Sequence, residues 1–259
     1  MIGGSAGAGA TGAETPEASA PETRGYEIFL EADRRDSGFQ DMQVNLQMVL
    51  RNTRGGESRR ALRVQQLEVP DDGDKILIIF DTPKSIKGTA LLSFTHKTGL
   101  DDQWLYLPAI GRVKKISSNN QSGPFLGSEF AYEDLTSQEI EKFTYRFLRS
   151  EQFGGAPHYV VERIPVGRQS GYTRQIVWLD EAEYRISKIE YFDRRGGHLK
   201  TLTMNDYRRY EPHFWKAQRM VMVNHRSGKT TELLWHGYTF SVGLTAERDF
   251  TTNSLRRAR

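Results

Sequence analysis

The chain has 259 residues, with 36 Lys and Arg against 33 Asp and Glu, so its net charge is +3. It contains no cysteine, which excludes a disulfide scaffold, a thiolate zinc site and a cysteine nucleophile. No apolar run approaches the roughly 20 residues of a membrane-spanning helix, and so small a net charge does not by itself imply nucleic-acid binding.

Residues 1–25 differ in composition from the rest of the chain, with six Gly, six Ala and no aromatic residue. Such a segment buries too little apolar surface to offset its ordering entropy, so we predict a flexible leader and a single domain at 26–259. The leader lacks the basic and apolar regions of a signal peptide and fits the start of a mature exported chain. Residues 3–7 and 7–12 match G-x-S-x-G and G-x-G-x-x-G, but without the flanking strand and helix that both motifs need.

The first predicted elements are a short amphipathic helix at 26–35 and a series of strands. Residues 44–51 alternate between apolar and polar, which predicts a strand with one apolar face. The polar run 59–69 predicts a second strand, which we place at the edge of the sheet. The run 75–80 is almost continuously apolar, which predicts a strand that is covered on both faces.

Further short apolar runs follow, separated by turns rich in Gly, Pro and Asp: 90–96, 104–107, 143–148, 158–164, 174–179, 185–192, 199–207, 219–224 and 230–240. Most connections are too short for crossover helices, which predicts an antiparallel meander. Residues 117–134 form the longest interruption and are a candidate lid or lining element. Residues 136–139 match a capping box, which predicts a helix of one or two turns before residue 143.

The sequence shows no catalytic or metal-binding constellation. Its six histidines have neither H-x-H nor H-E-x-x-H spacing, so we predict no metal site and no cofactor. The carboxylate pairs 71–72 and 101–102 lie in turns, where Asp favours the backbone geometry. A Ser-His-Asp set is defined in space, and nothing in the sequence points to one. We therefore predict a binding protein rather than an enzyme.

Basic pairs recur at 34–35, 59–60, 114–115, 194–195 and 208–209. Their scatter along the chain favours solvated turns and strand edges protected by charge. The alternative is contact with anionic lipid or an acidic partner. Nucleic-acid binding would interleave aromatic and basic residues on one sheet face, a pattern approached only at 207–210, so we predict no nucleic-acid partner.

Aromatic residues cluster at 94–106 and 125–153, which suggests either an ordinary β core or a lined cavity. The strands of an eight-stranded barrel can fill its interior with their own side chains. About eleven strands enclose more space, so we expect packed helices, a ligand or both inside.

Two sequence blocks resemble the outer membrane lipoprotein-sorting protein family, the LolA-like proteins of Gram-negative bacteria. The blocks are WLYLPAIGRV at 104–113 and GSEFAYED at 127–134. Within that family, the branch associated with lipid-exporting RND transporters looks most similar. Glu129 and Ala131 stand where the family pattern has Asp and Ser.

The resemblance implies a mainly β fold, an open and incomplete antiparallel barrel of about eleven strands with short helices covering its mouth. It also implies an apolar cavity for acyl chains and a periplasmic location. An acyl chain in water costs about 0.8 kcal/mol per exposed CH₂, so a lipid needs a shield to cross the periplasm. We therefore predict a periplasmic carrier that hands lipid or lipoprotein acyl chains between membranes or to an exporter. The predicted partners are a lipid or acylated lipoprotein and an inner-membrane RND transporter, with membrane contact at most peripheral.

The candidate cavity or lid residues come from the first strand, the aromatic-rich strands and the long interruption: Val44, Leu46, Met48, Leu92, Phe94, Trp104, Tyr106, Phe125, Leu126, Phe130 and Tyr132. An alternative function is a periplasmic sensor or adaptor of an RND transporter, for which the polar strand 59–69 would be the docking edge. A third class is a lipid hydrolase, in which Ser128 or His96 would be required.

Overall fold

A computed structural model describes residues 20–210 and 214–257 of the chain. Most of the predicted leader, with both glycine motifs, therefore lies outside the described residues. Residues 21–25 belong to the first helix, so ordered structure begins before the domain boundary predicted at residue 26. The three α-helices in the described ranges are α1 (Pro21–Asp36), α2 (Ala246–Asp249) and α3 (Thr252–Arg257). None of the described helices is long and apolar enough to cross a membrane.

The described residues form thirteen strands in one antiparallel sheet. The strands are β1 (Asp41–Arg51), β2 (Glu57–Leu67), β3 (Lys75–Thr82), β4 (Ala90–Phe94), β5 (Asp102–Leu107), β6 (Arg112–Ile116), β7 (Phe143–Phe153), β8 (Ala156–Pro165), β9 (Tyr172–Asp180), β10 (Ile186–Asp193), β11 (His198–Tyr210), β12 (Phe214–Asn224) and β13 (Thr230–Phe240). Short 3₁₀ turns lie at Pro108–Ile110, Ser118–Asn120, Tyr132–Leu135 and Ile140–Lys142.

Two meanders meet in the middle of this sheet, where β1 pairs with β13. The strands β6 and β7 are consecutive in the chain but form its two opposite edges, so the sheet is not closed. The predicted open, antiparallel β architecture is confirmed. The predicted count of about eleven strands is too low: β6 has a mostly exposed Arg-Val-Lys-Lys sequence, which hides its alternation.

The polar strand β2 is not an edge, which corrects the placement predicted for residues 59–69. It pairs with β1 on one side and with β3 on the other. Its apolar residues Leu62 and Val64 are buried on the inner face. Arg63 faces outward and forms an ion pair with Asp81 of β3, whereas Arg60 faces inward and contacts the segment that follows β6. The polar residues of β2 therefore do not mark a sheet edge. The sensor hypothesis has no docking edge in this strand.

The helix α1 begins five residues earlier than predicted, because Pro21 is favourable at the start of a helix. It buries Ile28 and Phe29 against the sheet. A side chain at Gly25 would place its Cβ 2.7 Å from the backbone nitrogen of Phe147. Only glycine therefore allows α1 to approach β7 this closely.

The predicted capping box at 136–139 does not start an α-helix. The Thr136 hydroxyl instead donates to the carbonyl oxygen of Glu133, three residues earlier. Only the three-residue turn Ile140–Lys142 precedes β7. A side-chain bond of this backward type competes with the helix start that the motif predicts.

Two apolar clusters cover the two faces of β3, as its continuous hydrophobicity predicts. On the inner face, Ile76, Ile78 and Phe80 join the main core. On the outer face, Leu77 and Ile79 pack in a second cluster with residues of the C-terminal segment, Phe250 and Leu255. The sequence did not predict α2 and α3, because the basic residues at this end of the chain mask Leu255.

Candidate functional site

Residues 117–142 connect the two edge strands β6 and β7, and we call this segment the plug. It contains three of the short 3₁₀ turns and extends beyond the interruption predicted at 117–134. Because β6 and β7 lie at opposite edges, the plug has to cross the opening of the sheet. The plug therefore lies where a ligand of the barrel interior would enter.

The apolar side of the plug packs into the interior of the barrel. Phe125 is fully buried, with its ring centroid 5.7 Å from that of Phe80 on β3 and 5.5 Å from that of Tyr132. Phe130 is 3% exposed and belongs to the same core. The inner-face residues of β1 in this core are Val44, Leu46 and Met48. The plug thus occupies the space beside the apolar inner face.

Seven of the eleven predicted lining residues share this main core: Val44, Leu46, Met48, Phe125, Leu126, Phe130 and Tyr132. The other four lie in the second cluster, on the outer face beneath the C-terminal helices: Leu92, Phe94, Trp104 and Tyr106. Side chains alternate between the two faces of a strand, so Leu91 and Leu105 face inward and their neighbours face outward. The sequence blocks do not show which face of a strand looks into the barrel.

Two cavities flank the plug. One, of about 270 Å³, lies between the β1–β2 turn, the start of β13 and the plug residues Gly127 and Glu129. The other, of about 240 Å³, lies between residues 97–101, the second half of the plug and the β8–β9 turn. Both have many polar lining residues and fall below the roughly 300–1,000 Å³ of typical ligand pockets. The inner-face residues Val44, Leu46 and Met48 line neither cavity and are buried.

A buried ion pair ties the plug to the sheet. The Asp134 carboxylate of the plug lies 2.6 Å from Nζ of Lys200 on β11, and both side chains are 4% exposed. Asp134 also accepts hydrogen bonds from the Tyr172 hydroxyl at 2.8 Å and from the Ala131 backbone at 2.6 Å. Lys200 donates a second bond to the backbone oxygen of Glu129. We call Asp134, Lys200 and Tyr172 the clamp.

The neighbouring carboxylate, Glu133, binds the β8–β9 turn. It accepts hydrogen bonds from the Ser170 hydroxyl at 2.7 Å and from the Gly171 backbone at 2.9 Å. Burial, reinforced by the charge of Asp134, raises the pKa of Glu133. The adjacent residues Glu133 and Asp134 therefore make polar contacts to two different parts of the sheet.

The tip of the plug is held at the opposite side by backbone contacts. Leu126 has a φ of +47°, which is uncommon for a residue with a side chain, and its carbonyl accepts a bond from Arg60 at 2.8 Å. The Glu129 backbone donates to the Thr231 hydroxyl at 2.9 Å, and its carboxylate accepts from Asn224. Sequence reasoning identified the plug itself but missed its partners Arg60, Lys200 and Thr231, which lie singly on strands far along the chain.

A second buried cation, Arg163 on β8, lies in the same interior. Its Nε donates to Gln175 at 2.8 Å, and its guanidinium lies 4.5 Å from the ring centroid of Phe143 and 5.4 Å from that of Phe29. Burial lowers the pKa of Arg163. The half of the interior formed by β7–β11 therefore contains two buried cations, Arg163 and Lys200, beside aromatic rings.

The residues that a hydrolase would use are engaged elsewhere. The Ser128 hydroxyl is buried and bonds to the backbone of Phe130. His96 bonds through Nδ1 to Asp72 at 2.7 Å. Within the described ranges, no group of three or more His, Asp or Glu side chains is arranged to hold a metal ion.

The end of the plug carries a group that titrates near neutral pH. Burial and the charges of Asp74, Asp33 and Glu141 raise the pKa of Glu139 from 4.5 to about 7. A raised carboxyl pKa favours the protonated folded state, so stability falls as the pH rises from about 4.5 to about 7. We expect Glu139→Gln to raise the free energy of unfolding by about 1 kcal/mol at pH 8, a value reduced for solvent screening.

Urea unfolding of the wild type and this variant at pH 4 and pH 8 measures the effect. The two proteins should differ at pH 8 and converge at pH 4, where Glu139 is protonated in both the folded and the unfolded state. An equal difference at both pH values would mean that the substitution acts through packing and not through titration.

Comparison with known proteins defines the family. A family model described as "uncharacterized protein" matches residues 72–257, and no curated protein matches the chain. A crystal structure from Vibrio parahaemolyticus, named as an outer membrane lipoprotein-sorting protein domain, is 50% identical. The match covers 91% of this chain and 100% of the Vibrio parahaemolyticus chain, with a TM-score of 0.89.

Two more distant structures share the fold. A DUF1329 family protein from Desulfovibrio piger is 24% identical, covers 92% of this chain and 100% of its own, and has a TM-score of 0.86. A LolA superfamily protein from Nitrosomonas europaea is 20% identical, covers 91% of this chain and 99% of its own, and has a TM-score of 0.71. The resemblance of the two sequence blocks is confirmed, while the RND-associated branch stays a prediction. The chain is a member of the outer membrane lipoprotein-sorting protein family and has the LolA-like fold.

Proposed function

We propose that this protein is a periplasmic carrier that binds the acyl chains of a lipid or lipoprotein inside the open barrel, in place of the plug. The observation that carries the proposal is that a connecting segment, and not a strand, covers the apolar inner face. The name of the Vibrio parahaemolyticus relative, with its 50% identity, supports a lipoprotein-sorting role.

The plug is suited to movement because it joins no strand of the sheet. Its only β-type pairing among the described residues is the isolated bridge between Pro124 and Ala131, both within the plug. Its other contacts are side-chain packing and polar bonds. These include the bonds of the clamp and tip, those accepted by Glu133, the bond from Ser137 to Asp74, and the bond from Gln103 to the Tyr132 carbonyl. An acyl chain that replaced Phe125 and Phe130 would bury comparable apolar area, so the exchange costs little hydrophobic free energy. A ligand shifts such an equilibrium only by its preference for the open state.

A reversible covalent lock tests the proposal. The chain has no cysteine, so the pair Glu129→Cys and Thr231→Cys introduces the only two thiols. The backbone nitrogen of residue 129 lies 2.9 Å from the side chain of residue 231, so the two positions are neighbours across the contact between plug and sheet. We expect the oxidised protein to lose binding of a fluorescent fatty acid by at least tenfold, and reduction to restore it.

The two single-cysteine variants, treated with the same oxidant, are the matched controls and should bind the probe in both redox states. Mass spectrometry confirms that the disulfide has formed. Equal binding by the locked and reduced double variants would overturn the proposal that acyl chains take the place of the plug. Failure of the reduced protein and of the wild type to bind any acyl probe would overturn the carrier function itself.

The same proposal has two further parts, the chemistry of the cargo and the protein that receives it. A lipoprotein presents several acyl chains on one amino-terminal residue, and the interior offers a large apolar core with two buried cations, Arg163 and Lys200. Handing the cargo to an RND transporter is the predicted exporter route. Native purification followed by lipid mass spectrometry identifies the cargo, and a delipidated protein that takes up no lipid from membranes would contradict transport.

A further inference from the structure

The antiparallel topology places six strand connections at corresponding ends of their strands. They are 52–56, 83–89, 108–111, 166–171, 194–197 and 225–229, and we call them together the basic end. Side-chain contacts join several of these turns: Thr53 touches Gly228, Arg226 pairs with Asp193, and Arg194 donates to the carbonyl of Ser170. The basic end is therefore a continuous surface over much of its extent.

This surface carries cations without carboxylate partners. Eight exposed basic side chains in or beside its turns form no ion pair within the described part of the chain: Arg54, Lys84, Lys87, Arg112, Arg168, Arg194, Arg195 and Lys229. The acidic residues nearby are already paired, Glu57 with Arg51 and Arg59, and Asp193 with Arg226. The local charge is therefore strongly positive.

The opposite end of the barrel is acidic. The β2–β3 connection at 68–74 contains four carboxylates, and the β9–β10 connection at 181–185 contains two carboxylates and one arginine. Three of the five basic pairs in the sequence, at 59–60, 114–115 and 194–195, lie within four residues of a turn of the basic end. The net charge of +3 thus hides a separation of charge between the two ends.

Apolar residues project from the same turns. Ile110 in the β5–β6 turn is 62% exposed, and Val166 in the β8–β9 turn is 58% exposed. Each lies two residues from an unpaired arginine, Arg112 and Arg168. Apolar tips flanked by cations suit the interface of an anionic bilayer, where the tip enters the headgroup layer and the cations meet phosphates.

The tip of the plug also lies at the basic end. Gly127 and Glu129 line one cavity together with Gly56 and Ser58 near the β1–β2 turn and Lys229 beside β13. A membrane bound here would face the point where the plug leaves the interior. A charged protein partner would not need the exposed apolar tips, so these observations favour a bilayer.

We propose that the basic end docks on the surface of a bilayer rich in anionic phospholipid and thereby presents the plug tip to the membrane. The proposal rests on the carrier function, which it extends by naming the surface at which cargo is exchanged. The separated charges orient the molecule as it approaches, because the positive end is attracted and the acidic end is repelled.

Vesicle flotation tests the docking. Wild-type protein is mixed with vesicles of phosphatidylcholine alone or with 30% phosphatidylglycerol, at about 0.05 and 0.5 M salt. We expect binding to the anionic vesicles at low salt, little binding to neutral vesicles, and loss of binding at high salt, because the Debye length shrinks. The variant Arg54→Gln/Arg195→Gln/Lys229→Gln should bind at least tenfold more weakly, since each cation near the surface contributes to attraction.

A matched variant with the same change of charge, Arg34→Gln/Arg149→Gln/Arg208→Gln, alters exposed cations away from the basic end and should bind like wild type. Equal losses in both triple variants would overturn the proposal, as would wild-type binding to neutral vesicles alone. Capture of an acidic protein without vesicle binding would also overturn it, in favour of a protein partner. Fatty-acid binding in solution should be unchanged in both variants, so failure of docking is distinguishable from failure of the carrier function.

Discussion

Replacing Lys200 by methionine should lower the free energy of unfolding by about 3–5 kcal/mol, because it leaves the buried carboxylate of Asp134 without its counter-charge. Asp134 would keep its bonds from Tyr172 and from the Ala131 backbone, but those donors are neutral. Urea unfolding at pH 7 measures the change. The same variant should bind an acyl probe more tightly than wild type, since the clamp holds the plug in its closed position.

The exposed pair Arg149–Glu151 is the matched control, because its side chains are 50% and 34% exposed. Arg149→Met should cost less than about 1 kcal/mol, as surface ion pairs generally do. Adding Asp134→Asn to Lys200→Met should recover part of the lost stability by removing the unpaired charge. If Lys200→Met costs no more than Arg149→Met, the clamp does not stabilise the closed barrel.

Replacing Phe125 by alanine should destabilise the protein by about 3–5 kcal/mol, because a fully buried aromatic side chain between Phe80 and Tyr132 is removed. The lost packing weakens the closed plug more than the open one, in which Phe125 has already left the interior. We therefore expect the apparent affinity for a fluorescent fatty acid to rise by about tenfold. If the variant does not fold, Phe125→Leu should show the same direction with a smaller effect.

Leu92→Ala separates this effect from general loosening of the barrel. Leu92 is equally buried, but it lies in the second cluster on the outer face. Its truncation should cost about 2–5 kcal/mol and leave acyl binding unchanged. A similar gain in binding by Leu92→Ala would mean that the plug has no special role. Loss of binding in Phe125→Ala would instead make Phe125 part of the ligand site.

The contacts of the plug explain how one segment can both close the barrel and leave it. Its apolar residues fill the interior, and its polar contacts go to separate strands and turns, among them the side chains of Lys200, Tyr172, Thr231 and Arg60. Local openings of proteins involve segments of low local stability. Glu139, which titrates near neutral pH, adds a pH-dependent contribution at the point where the plug joins β7.

The periodicity of the sequence by itself determined the class of the fold. Alternation along 44–51 and short turns rich in glycine predict antiparallel strands, because side chains alternate with a period of two wherever one sheet face is buried. The two sequence blocks identified the family, and the length of the 117–134 interruption identified most of the plug. Alternation, turn residues and sequence blocks are properties of short segments. They can therefore be recognised without knowing which segments meet in space.

Only the tertiary structure decided which side chains meet inside the barrel. Leu92 and Trp104 are as apolar as Leu91 and Leu105, and only the pairing and curvature of the sheet show that the former face outward. Lys200 lies 66 residues from Asp134 in the chain, and the basic turns are scattered over some 180 residues, so neither grouping has a sequence signature. Ion pairs and charged surfaces depend on distances in space. Those distances are set by the folded sheet, in which the β1–β13 pairing joins the two meanders.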